Sequence, residues 1–286
     1  MKALLDADKY MSGKGVVSSR RNAEEMLCSL LGCGRIDLYL NNYKLSEADR
    51  LEFERMVASR VCGTPLQYIT GYEDFCGHKI LTREGVFIPR PETEVLVEKV
   101  VDFLLKYSLC SQTDNQIRIF DLCTGSGNVA ISLTKTFTHC KIISSDISQN
   151  ALDLAKENAA AHQVLGNIDF VKADLFSAVE GLESFFDVIV SNPPYIREDA
   201  MADLPLEVTK EPKEALDGGK DGLDFYRTII AKASYFLKSG GLLALELADD
   251  AYLSVGAMLN ASGAYKNIDF CNDLNSVPRV VTAVLN

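Results

Sequence analysis

The run Asn192-Pro193-Pro194-Tyr195 closes an apolar stretch, Val188 to Ser191, with residue types that could do chemistry. The asparagine side-chain oxygen and the Pro193 carbonyl both accept hydrogen bonds, and Pro194 pushes Pro193 toward an extended conformation that fixes the direction of its carbonyl. Tyr195 adds a planar face. Such a corner suits a planar group bearing NH2, with both N–H bonds accepted and the plane flanked. An amide or aniline-like nitrogen is a poor nucleophile because its lone pair is delocalised. Holding its protons out of the conjugated plane localises that pair and aims it at an electrophilic carbon, which is positioning with electrostatic help rather than strong-base catalysis. The plainer alternative is that the prolines only terminate a strand. Asn192 before them and Tyr195 after them favour chemistry.

A second candidate lies upstream in "FDLCTGSGNVA", residues 120–130. Gly125 and Gly127 allow a tight turn between a strand and a helix and a close backbone approach to a ligand. The spacing Gly125-x-Gly127-x-x-Ala130 also fits a dinucleotide fingerprint, and Asp146, ending the next strand, could hold a ribose hydroxyl of either cofactor. Asp121 tips the balance. A carboxylate beside the turn would repel a pyrophosphate, whereas it would attract the ammonium or sulfonium of S-adenosylmethionine. A third acid, Asp174 in "KADLFS", ends another strand and is followed by Leu175 and Phe176. That pair could bind an adenine amino group and flank its ring, and Asp174 as a helix N-cap is an equal alternative.

The elements that must position these residues follow from periodicity. From residue 116 onward, strands are expected at "IRIFDLC", "KIISSDI", "IDFVKAD", "FDVIVSN", "LLALEL", "IDFCND" and "RVVTAVL", with helices at 128–137, 148–162, about 224–238 and 250–262. Tyr226, Ile229, Ile230, Ala233, Phe236 and Leu237 make one apolar stripe on the third of these. This alternation implies a doubly wound, mostly parallel α/β sheet with ligands at the carboxyl ends of its strands. The short connection between the last two strands permits an antiparallel pair at the edge. Before residue 66 the chain reads helical: one helix ends at Gly32, and another starts at Ser46 with Asp49 three positions on, a capping arrangement. Residues 66–90, broken by Gly71, Gly77 and Gly85, suggest a β-hairpin or extended linker, and Pro89 and Pro91 lead into a helix near Glu92. The expected organisation is a helical domain over 1–66, a hairpin linker over 67–91 and a catalytic domain over 92–286.

Composition narrows the function classes. With 47% hydrophobic and 24% charged residues, the 286-residue chain is that of an ordinary globular protein. Residues 1–65 hold 10 Lys and Arg against 9 Asp and Glu, so residues 66–286 hold 19 against 31 and carry −12 of a total net charge of −11. Acidity of that size opposes non-specific duplex binding, so no direct DNA binding is expected. Eight cysteines without a CxxC pair and three histidines, at 78, 139 and 162, argue against a metal site and for reduced thiols. The start, "MKALLDADKY", is no signal peptide and no apolar run reaches spanning length, so a cytoplasmic protein without membrane contact is expected.

Asp121-x-x-Thr124-Gly125-Ser126-Gly127 together with Asn192-Pro193-Pro194-Tyr195 resembles class I S-adenosylmethionine-dependent methyltransferases acting on amino or amide nitrogens. "IPRPETE" (88–94) and "EPKEALDGGKDGLDFYRTI" (211–229) narrow the resemblance to the bacterial release factor glutamine methyltransferases, PrmC or HemK. It runs from the helical N-terminal module to about residue 245. The resemblance implies a fold of seven strands and methylation of the side-chain amide of the glutamine in the Gly-Gly-Gln motif of class I peptide chain release factors. It also implies S-adenosylmethionine as cofactor, held by Asp121, Cys123, Thr124, Gly125, Ser126, Gly127, Asp146, Asp174 and Leu175, with Asn192 at the border. Asn192, Pro193, Pro194 and Tyr195 would bind the glutamine, with Asn192, Pro193 and Tyr195 catalytic, and the helical module would grip the release factor. A ribosomal-protein glutamine methyltransferase, an adenine methyltransferase and a non-catalytic adenosyl-binding protein are the alternatives. Three stretches depart from the family pattern: Leu175 where an aromatic is usual, Leu245-Glu246-Leu247-Ala248 in place of Leu-Glu-x-Gly, and Asn275 with Pro278 near the C-terminus.

Overall fold

The computed structural model describes residues 2–41, 43–110 and 116–286, which divide into two compact units. The first comprises residues 1–72 with the short segments 82–84 and 205–210. Its helices are α1 (Lys2–Ser12), α2 (Ser19–Leu31), α3 (Arg35–Leu40), α4 (Glu47–Val61) and α5 (Leu66–Thr70). Leu4, Met11, Met26, Leu27, Phe53 and Val57 form their shared core. The expected stops are local and hold. Gly32, at φ 62°, ends α2 by donating to the Cys28 carbonyl, and Ser46 opens α4 with a reciprocal capping box to Asp49. Helix α5 stands where extended chain was expected. Pro65 fixes its entry and Gly71, at φ 83°, its exit, so one helical turn fits between two stops.

The second unit begins at Glu73, within the first strand of a hairpin, β1 (Tyr72–Phe75) and β2 (His78–Leu81), turned at Cys76 and Gly77, both at positive φ. Asn158 of the later helix α8 (Gln149–Ala161) clamps Leu81: the Leu81 N–H donates to its Oδ1 at 2.8 Å, and its Nδ2 donates to the Leu81 carbonyl at 3.1 Å. Helix α6 (Thr93–Cys110) then leads into β3 (Ile117–Leu122), α7 (Asn128–Thr136), β4 (Cys140–Asp146), α8, β5 (Ile168–Lys172) and β6 (Phe186–Ser191). Helix α9 (Asp224–Phe236), β7 (Leu237–Glu246), α10 (Tyr252–Ser262), β8 (Tyr265–Asn272) and β9 (Pro278–Leu285) complete the chain.

The seven strands lie in the order β5-β4-β3-β6-β7-β9-β8. The first five are parallel; β9 runs antiparallel between β7 and β8. Period-two alternation sorts the strand residues onto two cores. Ile119, Val188, Val190, Leu242 and Ala244 pack with α6 and α7, whereas Phe120, Ile189, Leu243 and Leu245 pack with α9 and α10. Five residues of the expected stripe, Tyr226, Ile229, Ile230, Ala233 and Leu237, are buried in the second core, and Leu237 already belongs to β7, which begins before the expected "LLALEL". This is the seven-stranded methyltransferase fold. Its strand order reverses between β3 and β6, and that switch point is where such sheets bind ligands.

Candidate active site

At the end of β3 the chain turns through Cys123 (φ 59°), Gly125 (φ 55°) and Gly127 (φ 80°) before α7 starts. Left-handed geometry is strained for Cys123, and such strain concentrates at functional turns. Asp146, ending the neighbouring β4, fixes the turn. Its Oδ2 accepts from the Gly125 N–H at 2.9 Å and its Oδ1 from the Ser148 N–H at 2.9 Å. A Cβ on Gly127 would lie 3.1 Å from the Ala155 Cβ, so glycine there serves helix packing. A Cβ on Gly125 would meet nothing within 4 Å, so the turn leaves open space at that point.

Asp121 lies beneath the turn, 2% exposed. Its Oδ2 accepts from Thr124 Oγ1 at 2.5 Å and Ser144 Oγ at 3.3 Å. Burial pushes its carboxyl up to about 7, against the pull of those two hydroxyls, and the Asp146 charge adds to the rise. The Thr124 and Ser126 side chains are buried, which leaves the turn's backbone as its outward chemistry. Burial also pushes the Cys123 thiol far up, with the Asp146 charge adding to the rise. At the end of β5 the Ala173 N–H donates to the Asp146 carbonyl at 3.0 Å, which sets Asp174 beside Asp146. Asp174 is exposed and stands at the N-cap position of a short 3-10 turn, Leu175–Val179, where its carbonyl accepts from the Ser177 N–H at 3.1 Å while its side chain makes no capping hydrogen bond. Leu175 follows at φ 46°, a second strained residue on this edge.

The other half of the edge is the Asn192–Tyr195 corner. Ser191 Oγ donates to the Leu122 carbonyl at 2.9 Å and ties the ends of β6 and β3 together. Asn192 Nδ2 donates to Thr93 Oγ1 at 3.1 Å. Its Oδ1 and the Pro193 carbonyl accept no hydrogen bond among the described residues, so neither acceptor is spent on the fold. Tyr195 Oη donates to Glu246 Oε1 at 3.3 Å. Glu246 ends β7, is 1% exposed, and its Oε2 has no hydrogen-bond partner. Burial pushes its carboxyl up to about 7; the Thr93 and Tyr195 hydroxyls pull the other way, Glu92 adds repulsion and Arg279 attraction.

Two stretches behind the corner explain sequence features that had no derived role. Glu211 is buried, accepts from the Ile88 N–H at 3.1 Å and pairs with Arg90, so one carboxylate joins "IPRPETE" to "EPKEALDGG". The Ile196 N–H donates to the Leu216 carbonyl, and the Gly218 N–H to the Ile196 carbonyl, each at 2.8 Å. Cβ atoms on Gly218 and Gly222 would lie 2.6 Å from the Tyr195 Cα and 2.5 Å from its carbonyl oxygen. Only glycine lets that loop press on the tyrosine backbone. Thr93, Glu211, Gly218, Gly222 and Glu246 were not singled out as site residues from the sequence. The one local signal among them was Glu246, an acid closing the apolar run "LLALEL", since unpaired acids are rarely buried.

The departures from the family pattern are accommodated locally. Tyr226 Oη donates to the Glu246 carbonyl at 3.0 Å and accepts from the Ala248 N–H at 3.2 Å, which holds the chain after β7 without a glycine at 248. Asp273 Oδ1 accepts from the N–H groups of Asn275 and Val277 and closes the β8–β9 turn. Among the described residues there is no cluster of side chains that could hold a metal ion, and no helix long and apolar enough to cross a membrane.

Comparison with known proteins places this geometry in a family. Residues 2–71 match the PrmC N-terminal domain, and residues 79–220 match the methyltransferase small domain. A release factor glutamine methyltransferase of Thermodesulfovibrio yellowstonii is 37% identical over 262 residues, covering 91% of each chain. One of Geobacter sulfurreducens is 35% identical, covering 95% of this chain and 92% of its own. Among solved structures, the hMettl16 catalytic domain bound to MAT2A 3′UTR hairpin 6 matches with a TM-score of 0.56 at 15% identity, over 83% of this chain and 82% of that one, and shares the fold. The chain belongs to the release factor glutamine methyltransferase family.

Proposed function

We propose that this protein transfers a methyl group from S-adenosylmethionine to the side-chain amide nitrogen of the glutamine in the Gly-Gly-Gln motif of class I peptide chain release factors. The observation that carries the reading is the state of the corner: Asn192 spends its NH2 on Thr93 and keeps its oxygen unspent beside an equally unspent Pro193 carbonyl. A primary carboxamide offers two N–H donors, and two fixed acceptors are what it requires.

The turn fits the cofactor. Its open side at Gly125 admits close approach, the Gly125 and Ser148 N–H groups hold Asp146 rigid for a ribose diol, and Asp174 and Leu175 stand next in line for the adenine. Asp121, sealed under the turn, acts on a bound cation through its field rather than by contact. When bound, S-adenosylmethionine supplies a methyl group activated by a cationic sulfur.

The chain's own residues do the rest. Asn192 Oδ1 and the Pro193 carbonyl accept the two amide protons and weaken the conjugation of the nitrogen lone pair. The Tyr195 ring flanks the amide plane, with its hydroxyl anchored on Glu246. No side chain has to serve as a strong base, because an N-alkylated, protonated amide is itself acidic. The five-helix unit matched by the PrmC N-terminal domain is the proposed docking element for the release factor. The test offers methyl-labelled S-adenosylmethionine with purified release factor and duplex DNA side by side. Label is expected on the release factor, lost when its Gly-Gly-Gln glutamine is replaced; label on DNA alone overturns the reading.

A further inference from the structure

We propose that Asn158 is a positioning residue for the cofactor turn, bracing the peptide between Ser126 and Gly127 against the β1–β2 hairpin. The inference rests on the cofactor reading above and adds what holds the turn from behind.

The turn needs a brace because glycine permits its shape without fixing it. Gly125 and Gly127 reach positive φ at no steric cost, and by the same freedom they can leave it. The Ser126–Gly127 peptide is held at both of its polar ends. The Gly127 N–H donates to the Thr124 carbonyl at 2.9 Å, and the Ser126 carbonyl accepts from Asn158 Nδ2 at 3.0 Å. The first bond lies inside the turn and moves with it. The second comes from α8. Together with the bond from the Gly125 N–H to Asp146, it ties the turn to elements outside itself.

Asn158 is fully buried and serves two masters with one amide. Its Oδ1 accepts from the Leu81 N–H at 2.8 Å, and its Nδ2 donates to the Leu81 carbonyl at 3.1 Å as well as to Ser126. A primary amide has two N–H groups, and here each finds its own carbonyl. Completing the open edge of β2 needs only one of them; the other reaches the turn. The hairpin is a firm anchor. Its turn is pinned where the Cys76 N–H donates to Glu94 Oε1 of α6 at 2.6 Å, and His162 Nε2 donates to the Lys79 carbonyl at 2.9 Å. Phe75 and Ile80 are buried in the core beneath. Helix α8 also lies flush on the turn, because Ala155, one helical turn before Asn158, stands 3.1 Å from where a Gly127 Cβ would lie. Fixed length and two committed donors suit Asn158 to set the direction of one peptide plane.

The test measures S-adenosylmethionine affinity by isothermal titration on the full chain, beside methylation kinetics, thermal unfolding and amide hydrogen exchange. Asn158→Ala and Asn158→Leu are each expected to weaken cofactor binding about 10- to 100-fold, the worth of a buried hydrogen bond left unmade. The KM for release factor, and kcat at saturating cofactor, should stay within about threefold. Leu154→Ala is the control: it opens a void on the same helix against Val86 and Ala151, so it should lower the unfolding temperature and leave cofactor affinity unchanged. Because coupling is reciprocal, saturating cofactor should slow exchange of the Leu81 amide in the wild type about fivefold or more relative to amides of the helical unit. Wild-type cofactor affinity in both Asn158 variants, or equal loss in Leu154→Ala, would overturn the inference. If neither Asn158 variant folds, Leu81 exchange decides it, and an unchanged rate on cofactor binding counts against the brace. Failure of the wild-type chain to bind S-adenosylmethionine at all would instead sink the function itself.

Discussion

The glycine turn and the Asn-Pro-Pro-Tyr corner sit at the carboxyl ends of adjacent strands, yet they are built on opposite plans. The turn presents backbone, and its braces are near in sequence: Thr124 is three residues from Asp121, and Gly125 is 21 from Asp146. The corner presents side-chain and carbonyl oxygens, and its braces are distant: Thr93 lies 99 residues before Asn192, and Glu246 51 residues after Tyr195. A backbone turn is fixed by its own φ angles once glycine permits them. A side-chain acceptor has to be aimed by other elements, so the geometry of the corner depends on more distant pairings than that of the turn does.

If that division holds, variants of the two halves should fail in different measurements. The largest effect is expected from Asn192→Ala. If Asn192 meets the reacting amide as proposed, its removal should lower kcat by about 10²- to 10³-fold, while cofactor affinity stays within about threefold. An equal loss of cofactor affinity would break the division between the halves. Next comes Gly218→Ala, whose Cβ would press to 2.6 Å on the Tyr195 Cα. The backbone of Tyr195 must shift, and a loss of about 10- to 100-fold in kcat follows, again with cofactor affinity retained. Asp146→Ala reverses the pattern. It frees the N–H groups of Gly125 and Ser148 and should weaken cofactor binding roughly 10- to 100-fold, the worth of a charge-assisted hydrogen bond or two, with the KM for release factor little changed. Isothermal titration beside initial-rate kinetics separates these outcomes.

The same contrast governs what was legible in the sequence. The Gly32 stop and the Ser46–Asp49 box are decided within four residues, and the strand–helix alternation is a local periodicity, so both could be read directly. Asn192 and Tyr195 drew attention because their neighbours are prolines. Thr93 and Glu246 did not, because their meaning comes from a pairing across the sheet that no spacing encodes. Cys123 and Leu175 are harder still. Their positive φ is unfavourable for any side chain and is imposed by the surrounding fold, so no local rule places them there. Helix α5 was missed for a different reason: five residues between a proline and a glycine carry too little periodicity to outweigh their β-branched and aromatic composition.

The smallest predicted effect compares the acids under the two halves. Asp121 beneath the turn and Glu246 behind the corner are both pushed up to about 7, from ordinary values of 3.8 and 4.5, mainly by burial. A carboxyl with a raised folded-state pKa binds its proton more tightly folded than unfolded. Its contribution to stability is therefore full below the unfolded pKa and is lost as pH rises through about 7. Acidification from pH 8 to 5.5 should raise the unfolding temperature by a few degrees through these two groups. His78 opposes this, since burial holds its pKa below 6.5 and its protonation favours unfolding as pH falls. Glu246→Gln keeps His78 and Asp121 and removes one acid, so the difference between the two pH profiles isolates Glu246. The variant should gain stability at pH 8 and show a flatter profile while losing methylation rate, the signature of a charge retained for orientation at the expense of the fold. Asp121→Asn should flatten the same profile but lose cofactor affinity instead. Parallel profiles for wild type and Glu246→Gln would mean that the carboxyl titrates near its ordinary value, and the contrast between a locally braced turn and a remotely braced corner would then lose its electrostatic half.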